Sequence, residues 1–314
     1  SRSRSRTAAR LCPDRRVPAY AIHSMGLTIV GCGFVGLALA RQLQPRRSHL
    51  PLTLTTTREE RRHELAALSD GVMVCDATNP TQLLRALNKS RRAVFCLGPK
   101  GDRQVNEDGY RQTFIASFTC LQSLLPQLPD LQQILYTSSC SIYGNADGGW
   151  VDEAAPPDPR NGHAQVLVES EQLIGAMADG RRNVCILRLG ALYGPGRDLD
   201  TRLKGLAGRE QSSDGQQFTN WIHVEDAAGA LIAAMDGEWN GVVNVVNDAP
   251  ICLKDLVDHS LRRQGLDPVQ WGRSANQRLC SRRINNERLK ALGYQLQHPT
   301  LHSQSGVFPL SQAP

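Results

Sequence analysis

Three glycines, Gly31, Gly33 and Gly36, stand at G-x-G-x-x-G spacing between a short apolar run, Leu27–Val30, and a helix-forming apolar run that continues through Leu43. Each suits a different physical task. Gly31 lets the chain turn tightly off a strand. Gly33 has no Cβ to hold a pyrophosphate away from the backbone, and Gly36 lets the new helix lie close to the strand. The helix N-terminus then offers unpaired N–H groups and the positive end of its dipole to a phosphate. Strand, glycines and helix in this order read as a dinucleotide-binding turn that includes Phe34 and Val35. The rival reading is an ordinary glycine-rich βα turn.

The next positions of chemical interest follow at the ends of later strand-like runs. Leu50–Thr57 reads as a second strand. A cofactor bound through its ribose hydroxyls calls for an acid about 20 residues past the glycines. Here the place is Thr55-Thr56-Thr57-Arg58, with no acid. Hydroxyls such as that of Thr56, followed by Arg58, suit a 2′-phosphate, which needs donors and positive charge. The expected cofactor is therefore NADP, with NAD left open. Against this, Thr57 and Glu60 match a capping box, and Glu59 and Glu60 weaken the positive field. Gly71–Asp76 reads as a third strand whose terminal Asp76 meets an adenine or serves as a turn residue. Arg92–Pro99 reads as a fourth, with Leu97, Gly98 and Pro99 turning at the C-terminal edge where doubly wound sheets bind ligands.

The elements that must position these residues alternate. Asn79-Pro80 opens a helix. Residues 107–125 read as one long helix with core positions Phe114, Phe118, Leu121 and Leu125. Gln133–Ser139 is a fifth strand running into hydroxyls, and Asn183–Leu189 a sixth. Alternation of this kind implies a parallel sheet. Beyond it, 198–219 is polar and reads as a mobile substrate loop, whose Arg202 and Lys204 read as solvated charges or as contacts to an anionic substrate. Helices are expected at 225–235, 253–264 and 285–292, with a short strand at 241–247. The Asn pair at 285 and 286 reads as capping or ligand contact. The end after Pro299 reads as loosely held.

Composition narrows the classes. The 314 residues suit one large α/β domain, or one carrying a smaller lobe. No apolar run approaches the ~20 residues of a membrane span. Residues 1–24 carry six Arg and one acid, a net +5 of the whole chain's +6, so the rest is close to neutral. That balance speaks against a nucleic-acid-binding body. The tail itself reads as disordered. It is either upstream translation before a natural start at Met25, an organelle transit peptide, or a basic RNA-binding arm. Nine cysteines without a C-x-x-C pair read as buried thiols in a reducing compartment, with no metal site of the zinc type. The expected location is the cytoplasm, or an organelle stroma or matrix if the tail is a transit peptide.

At Thr137-Ser138-Ser139-Cys140-Ser141-Ile142-Tyr143-Gly144 the chain resembles the extended and atypical short-chain dehydrogenase/reductases, the NAD-dependent epimerase/dehydratase family. Further segments resemble it in order: Leu187–Arg197 with its Tyr-Gly-Pro-Gly, Asn220–Asp226, and Ile284–Tyr294. The resemblance implies an α/β fold, a Rossmann-type doubly wound parallel sheet over 26–190. A small C-terminal substrate-binding lobe over 191–300 would share later elements with the sheet, followed by a loose end at 301–314. It also implies that Tyr193–Gly196 lies beside the nicotinamide. His223 reads as structural, donating to a backbone carbonyl, ahead of a catalytic role.

The family's catalytic unit is a Ser or Thr with a Tyr-x-x-x-Lys, whose Lys lowers the Tyr pKa. By the resemblance, Ser139 holds the hydroxyl position. Counting back from Glu171-Gln172-Leu173-Ile174 places His163 where the Tyr is expected and Leu167 where the Lys is expected. No Tyr-x-x-x-Lys occurs between Tyr143 and Arg188. Three readings stay open: His163 as acid/base, since imidazole titrates near neutrality; Tyr143 in that role beside Ser139; or an NADP-binding protein with little redox chemistry. The expected function is an NAD(P)-dependent oxidoreductase or epimerase/dehydratase-like enzyme acting on a small molecule, with a homodimer open. The alternative is a noncatalytic NADP-binding redox sensor or assembly factor. An RNA-binding derivative rests on the basic tail alone.

Overall fold

A computed structural model of the chain describes residues 26–99, 106–272, 280–303 and 306–308. The basic tail at 1–24, and with it the choice between upstream translation, transit peptide and RNA arm, lies outside the described residues.

The first half alternates strand and helix: β1 (Gly26–Val30), α1 (Phe34–Gln42), β2 (Leu52–Thr56), α2 (Arg62–Ala66), β3 (Gly71–Val74), α3 (Pro80–Leu87), β4 (Ser90–Phe95), α4 (Glu107–Thr113), α5 (Ile115–Leu124) and β5 (Gln133–Ser139). There follow β6 (Trp150–Val151), α6 (Gly162–Gly175), β7 (Asn183–Leu189), β8 (Ala191–Tyr193), α7 (Leu199–Leu203), β9 (Glu210–Gln211), β10 (Phe218–Thr219), β11 (Trp221–His223), α8 (Val224–Asp236) and β12 (Gly241–Val245). The last elements include β13 (Ile251–Cys252) and α9 (Leu253–Arg263), and α10 (Glu287–Ala291).

Seven strands form one parallel sheet in the order β12-β7-β5-β4-β1-β2-β3. The order reverses between β1 and β4, which makes their C-terminal ends the switch point at which ligands bind in such sheets. Strands covered on both faces read as continuous apolar runs, and β1 is buried at all five positions. Thr28, its one polar side chain, is satisfied by Ala86 O at 2.9 Å and Ser90 Oγ at 2.7 Å. One face packs Leu39, Leu54, Leu187 and Leu231 under α1 and α8. The other packs Phe95, Phe118, Tyr136 and Ile174 under α5 and α6. β12 joins the sheet beside β7, so the later half contributes to the first half's core.

Two expectations need correction. The helix expected over 107–125 is two helices that meet at Phe114, where ψ is −55°. Thr113 Oγ1 bonds back to Gly109 O at 2.8 Å, a bond that bends helices. The segment 198–219 is not a structureless loop. Asp198 caps α7 through Thr201 N, and Leu199 and Leu203 are buried in a third core with Tyr193, Trp221 and Leu256. That core also takes Leu301 and Phe308, so the end of the chain is packed at those positions.

Candidate cofactor and substrate site

The glycine turn has the geometry its spacing implies. Gly31 has φ +86°, and a Cβ there would stand 2.7 Å from Cys96 O at the end of β4. A Cβ on Gly36 would stand 2.7 Å from Gly31 O and 3.2 Å from Ile29 Cγ2, so the helix touches the strand. At Gly33 a Cβ meets nothing within 4 Å. Gly33 is exposed and stands at the N-cap of α1, which takes no side-chain cap. The turn is held from β2: Gly31 N donates to Thr55 Oγ1 at 3.0 Å and Cys32 N to Thr55 O at 2.8 Å. Phe34 is half-buried. Val35 lies in the core at 7% exposure and offers a ligand only its backbone. Burial also pushes the Cys32 thiol up to about 12, so this turn cysteine is a packing residue.

At the end of β2 no capping box forms. Residues 59–61 make a single helical turn after Arg58, without a side-chain cap. Thr56 is buried and its hydroxyl accepts from Arg58 N at 3.2 Å, which ties it to the turn. The Arg58 side chain is exposed. Arg61, which the sequence reading missed, reaches back to the glycine turn: its Nη1 donates to Cys32 O at 2.5 Å, and its Nε pairs with Glu64 at 3.2 Å. The signal was a second arginine three residues past Arg58. Asp76 takes the turn role, accepting from Thr78 N and Thr78 Oγ1 at 3.0 and 2.7 Å, beside the Asn79 cap of α3. Leu97 packs on the core, and Gly98 and Pro99 stand at the sheet edge, where a Cβ on Gly98 would meet nothing.

Ser139 ends β5, two strands from β1, and its Oγ accepts from Ser141 N at 3.1 Å. It is half-buried, whereas Ser138, on the other face of the strand, is buried and donates to Glu171 Oε1 at 2.5 Å. Tyr143 is corrected. Its ring is 1% exposed, its hydroxyl donates to Asn244 Oδ1 at 2.8 Å and accepts from Arg188 Nη1 at 2.8 Å. Burial pushes the phenol up to about 12, and Arg188 beside it only partly opposes this. A phenol so enclosed cannot exchange a proton with a substrate. Arg188 in turn grips the buried Glu171 by Nε at 3.1 Å and Nη2 at 2.7 Å. Both residues lay in segments recognised from the sequence; their pairing did not show there.

His163 is the second residue of α6, after the Asn161 cap. Its ring meets Tyr110 of α4 edge-on at 4.4 Å. Leu167, one turn on, is buried in the core. Across the switch point, the Gly194–Arg197 turn brings the Arg197 guanidinium over the Phe34 ring at 4.5 Å, which joins the later half to the glycine turn. Arg202 instead donates to Leu192 O at 2.9 Å and lies over Trp221. His223 meets the backbone through an N–H where a carbonyl was expected. It caps α8, with Nδ1 accepting from Glu225 N at 3.3 Å. Around it gather His298 and His302, with ring centroids 3.8 and 5.1 Å away. Burial, then the neighbouring His298, holds His223 down to about 4 and leaves it neutral.

A model of the NAD dependent epimerase/dehydratase family matches residues 27–246. Protein YeeZ from Escherichia coli strain K12 is 27% identical over 284 residues, covering 87% of this chain and 96% of that one. A 3-diazoavenalumate denitrifying reductase from a Streptomyces species is 32% identical over 172 residues, covering 48% of this chain and 56% of its own. The solved Thermus thermophilus UDP-glucose 4-epimerase, in complex with NAD, superposes with a TM-score of 0.71 at 17% identity, over 91% of this chain and 97% of that one, which is a likeness of fold.

Proposed function

This chain belongs to the NAD dependent epimerase/dehydratase family, and on that premise we propose that it is an NADP-preferring oxidoreductase of the atypical short-chain dehydrogenase/reductase group, working on a small molecule without a Tyr-Lys pair. The observation that carries the cofactor reading is the cradle itself. Space lies open above Gly33, α1 begins without a side-chain cap, and no atom crowds the approach within 4 Å of a Cβ there. These features fit a dinucleotide pyrophosphate on the backbone of Gly31 to Val35. Arg58 and Arg61 would meet a 2′-phosphate, and Leu97–Pro99 would flank the path toward the substrate. When bound, the nicotinamide supplies or accepts the hydride.

The chain's own part is to hold and protonate the substrate oxygen. Ser139, at the sheet edge, suits orientation of that oxygen by hydrogen bond. His163 is the remaining candidate for the proton, because Tyr143 is enclosed. A second reading, a noncatalytic NADP-binding sensor or assembly factor, is favoured by one observation: Leu167 is 6% exposed and packed where the resemblance puts the lysine.

Titration with NADPH and NADH, followed by fluorescence, tests the cofactor. We expect tighter NADPH binding, and loss of that preference in Arg58→Ala and Arg61→Ala. An NADH preference in the wild type overturns it. Turnover on a panel of carbonyl compounds tests the enzyme. Turnover that falls in Ser139→Ala and His163→Gln with NADPH affinity intact supports it. Tight NADPH binding with no turnover on any carbonyl favours the sensor.

A further inference from the structure

Behind the Gly194 turn, three histidines from two distant parts of the chain converge. One ligand nitrogen from each of His223, His298 and His302 lies within 4.8 Å of the other two. The His298 and His302 rings stack at 4.6 Å. A carboxylate closes the group: Glu225 Oε2 stands 2.8 Å from His298 Nε2 and 3.6 Å from His223 Nδ1. From this geometry we propose that His223, His298 and His302, with Glu225, bind one divalent first-row transition metal ion, of which zinc is the type.

Three observations support the site. First, the backbones carrying the rings are pinned by groups other than the rings. Asp226, fully buried, accepts from Gln297 N at 2.7 Å, His298 N at 2.8 Å and the Tyr294 hydroxyl at 2.9 Å. Ser303, beside His302, donates to Asp200 Oδ2 at 2.7 Å and accepts from Arg263 Nη2 at 2.6 Å. The imidazoles are thus presented to one another by a fixed frame, as preorganised ligands are. Second, the distances are close to those an ion needs. A tetrahedral zinc at about 2.0–2.1 Å from each nitrogen sets the nitrogens about 3.4 Å apart, so atoms that lie within 4.8 Å of one another draw together by at most about 1.5 Å through ring rotation. Third, the donors are of the right kind. Three imidazoles and one carboxylate suit zinc and its neighbours, whereas calcium and magnesium take oxygen sets. Tyr193, whose hydroxyl lies 3.3 Å from His302 Nδ1, is the polar partner that would fix the orientation of the His302 ring.

The ion would be structural. Its ligands come from the start of α8 and from the segment 298–302, so it would tie the chain's last described stretch to the sheet. It would also bear on the substrate side, because a Cβ on Gly194 would stand 3.0 Å from His223 Nε2. This inference rests on the histidine geometry and is independent of the NADP reading.

The test uses the full chain and zinc and cobalt ions as probes, with no activity readout. Purified protein is titrated with Zn²⁺ against a chromophoric chelator, and the Co²⁺-loaded form is examined by absorption spectroscopy. We expect about one equivalent bound, tetrahedral cobalt bands without thiolate charge transfer, and a melting temperature raised by zinc. His298→Gln/His302→Gln should lose the bands and the thermal shift, with affinity reduced at least about tenfold. If that variant does not fold, His302→Gln alone is read the same way. Equal zinc affinity in wild type and variant, thiolate bands, or no binding by the wild type each overturn the proposal.

Discussion

The three glycines of the first turn can be separated by what an alanine would do at each. At Gly31 a side chain must occupy φ +86°, which costs an L-residue about 1–2 kcal/mol. The new Cβ would also press on Cys96 O at 2.7 Å, adding about 1–3 kcal/mol of overpacking. Gly36→Ala meets Gly31 O at 2.7 Å and carries the overpacking cost alone. For Gly33→Ala nothing lies within 4 Å, so stability should stay within about 0.5 kcal/mol of wild type. The same methyl stands in the space a pyrophosphate would use. Loss of one charge-assisted hydrogen bond there is worth about 1.5–3 kcal/mol, or roughly ten- to hundredfold in Kd. Thermal unfolding by circular dichroism, at about 2–4 °C per kcal/mol, orders the variants for stability, and NADPH titration orders them for affinity. The expected pattern is Gly31→Ala least stable, Gly33→Ala as stable as wild type but the poorest binder among the folded variants. A Gly33→Ala protein that binds NADPH as the wild type does would refute the placement of the phosphate.

Two further outcomes follow from buried polar chemistry. Arg188→Leu strands Glu171 at 6% exposure and should cost about 3–5 kcal/mol in urea unfolding, while Arg188→Leu/Glu171→Leu should cost less than the single change; a double variant worse than the single one would sink the account. For Cys32, burial raises the folded-state pKa to about 12, so the thiol stays protonated at pH 8 and thiolate forms only as pH climbs toward that value. Iodoacetamide at pH 8 should therefore label the half-buried Cys252 and Cys280 well before Cys32, as peptide mass spectrometry would report; early labelling of Cys32 would contradict its burial.

What could be read in advance was what is local. β5 and β7 were bounded from sequence because both are covered on both faces and so are apolar at their centres, Ile134–Tyr136 and Val184–Leu187, with polar residues toward their ends. The cofactor turn was legible because strand, glycines and helix are contiguous. The break at Phe114 was not, since it comes from one hydroxyl bonding back to Gly109. α7 was hidden by polar neighbours, although Leu199 and Leu203 stand at helical spacing on one buried face. The histidine group was illegible for a different reason. His298 and His302 are four apart, which hints at a shared site, but His223 lies 75 residues earlier, and only the packing of α8 against the last segment joins them.

Tyr143 lies in a segment that resembles the family's site yet does structural work. Ser138 and Ser139 are adjacent on a strand, so they face opposite ways. Ser138 turns inward to Glu171, Glu171 is held by Arg188, and Arg188 also donates to Tyr143, whose hydroxyl reaches Asn244 on β12. Asn244 is itself engaged, its N–H on Glu153 Oε1 and its Nδ2 on Asn285 O. The chain of bonds crosses from α6 through β5 and β7 to β12, and each member named has a partner, which is the condition under which a buried polar network rigidifies rather than destabilises. Tyr143 is therefore bound into the brace of the sheet edge. Because the same brace fixes which way Ser138 points, it fixes Ser139 on the opposite face, and any chemistry at that serine depends on a carboxylate it does not touch.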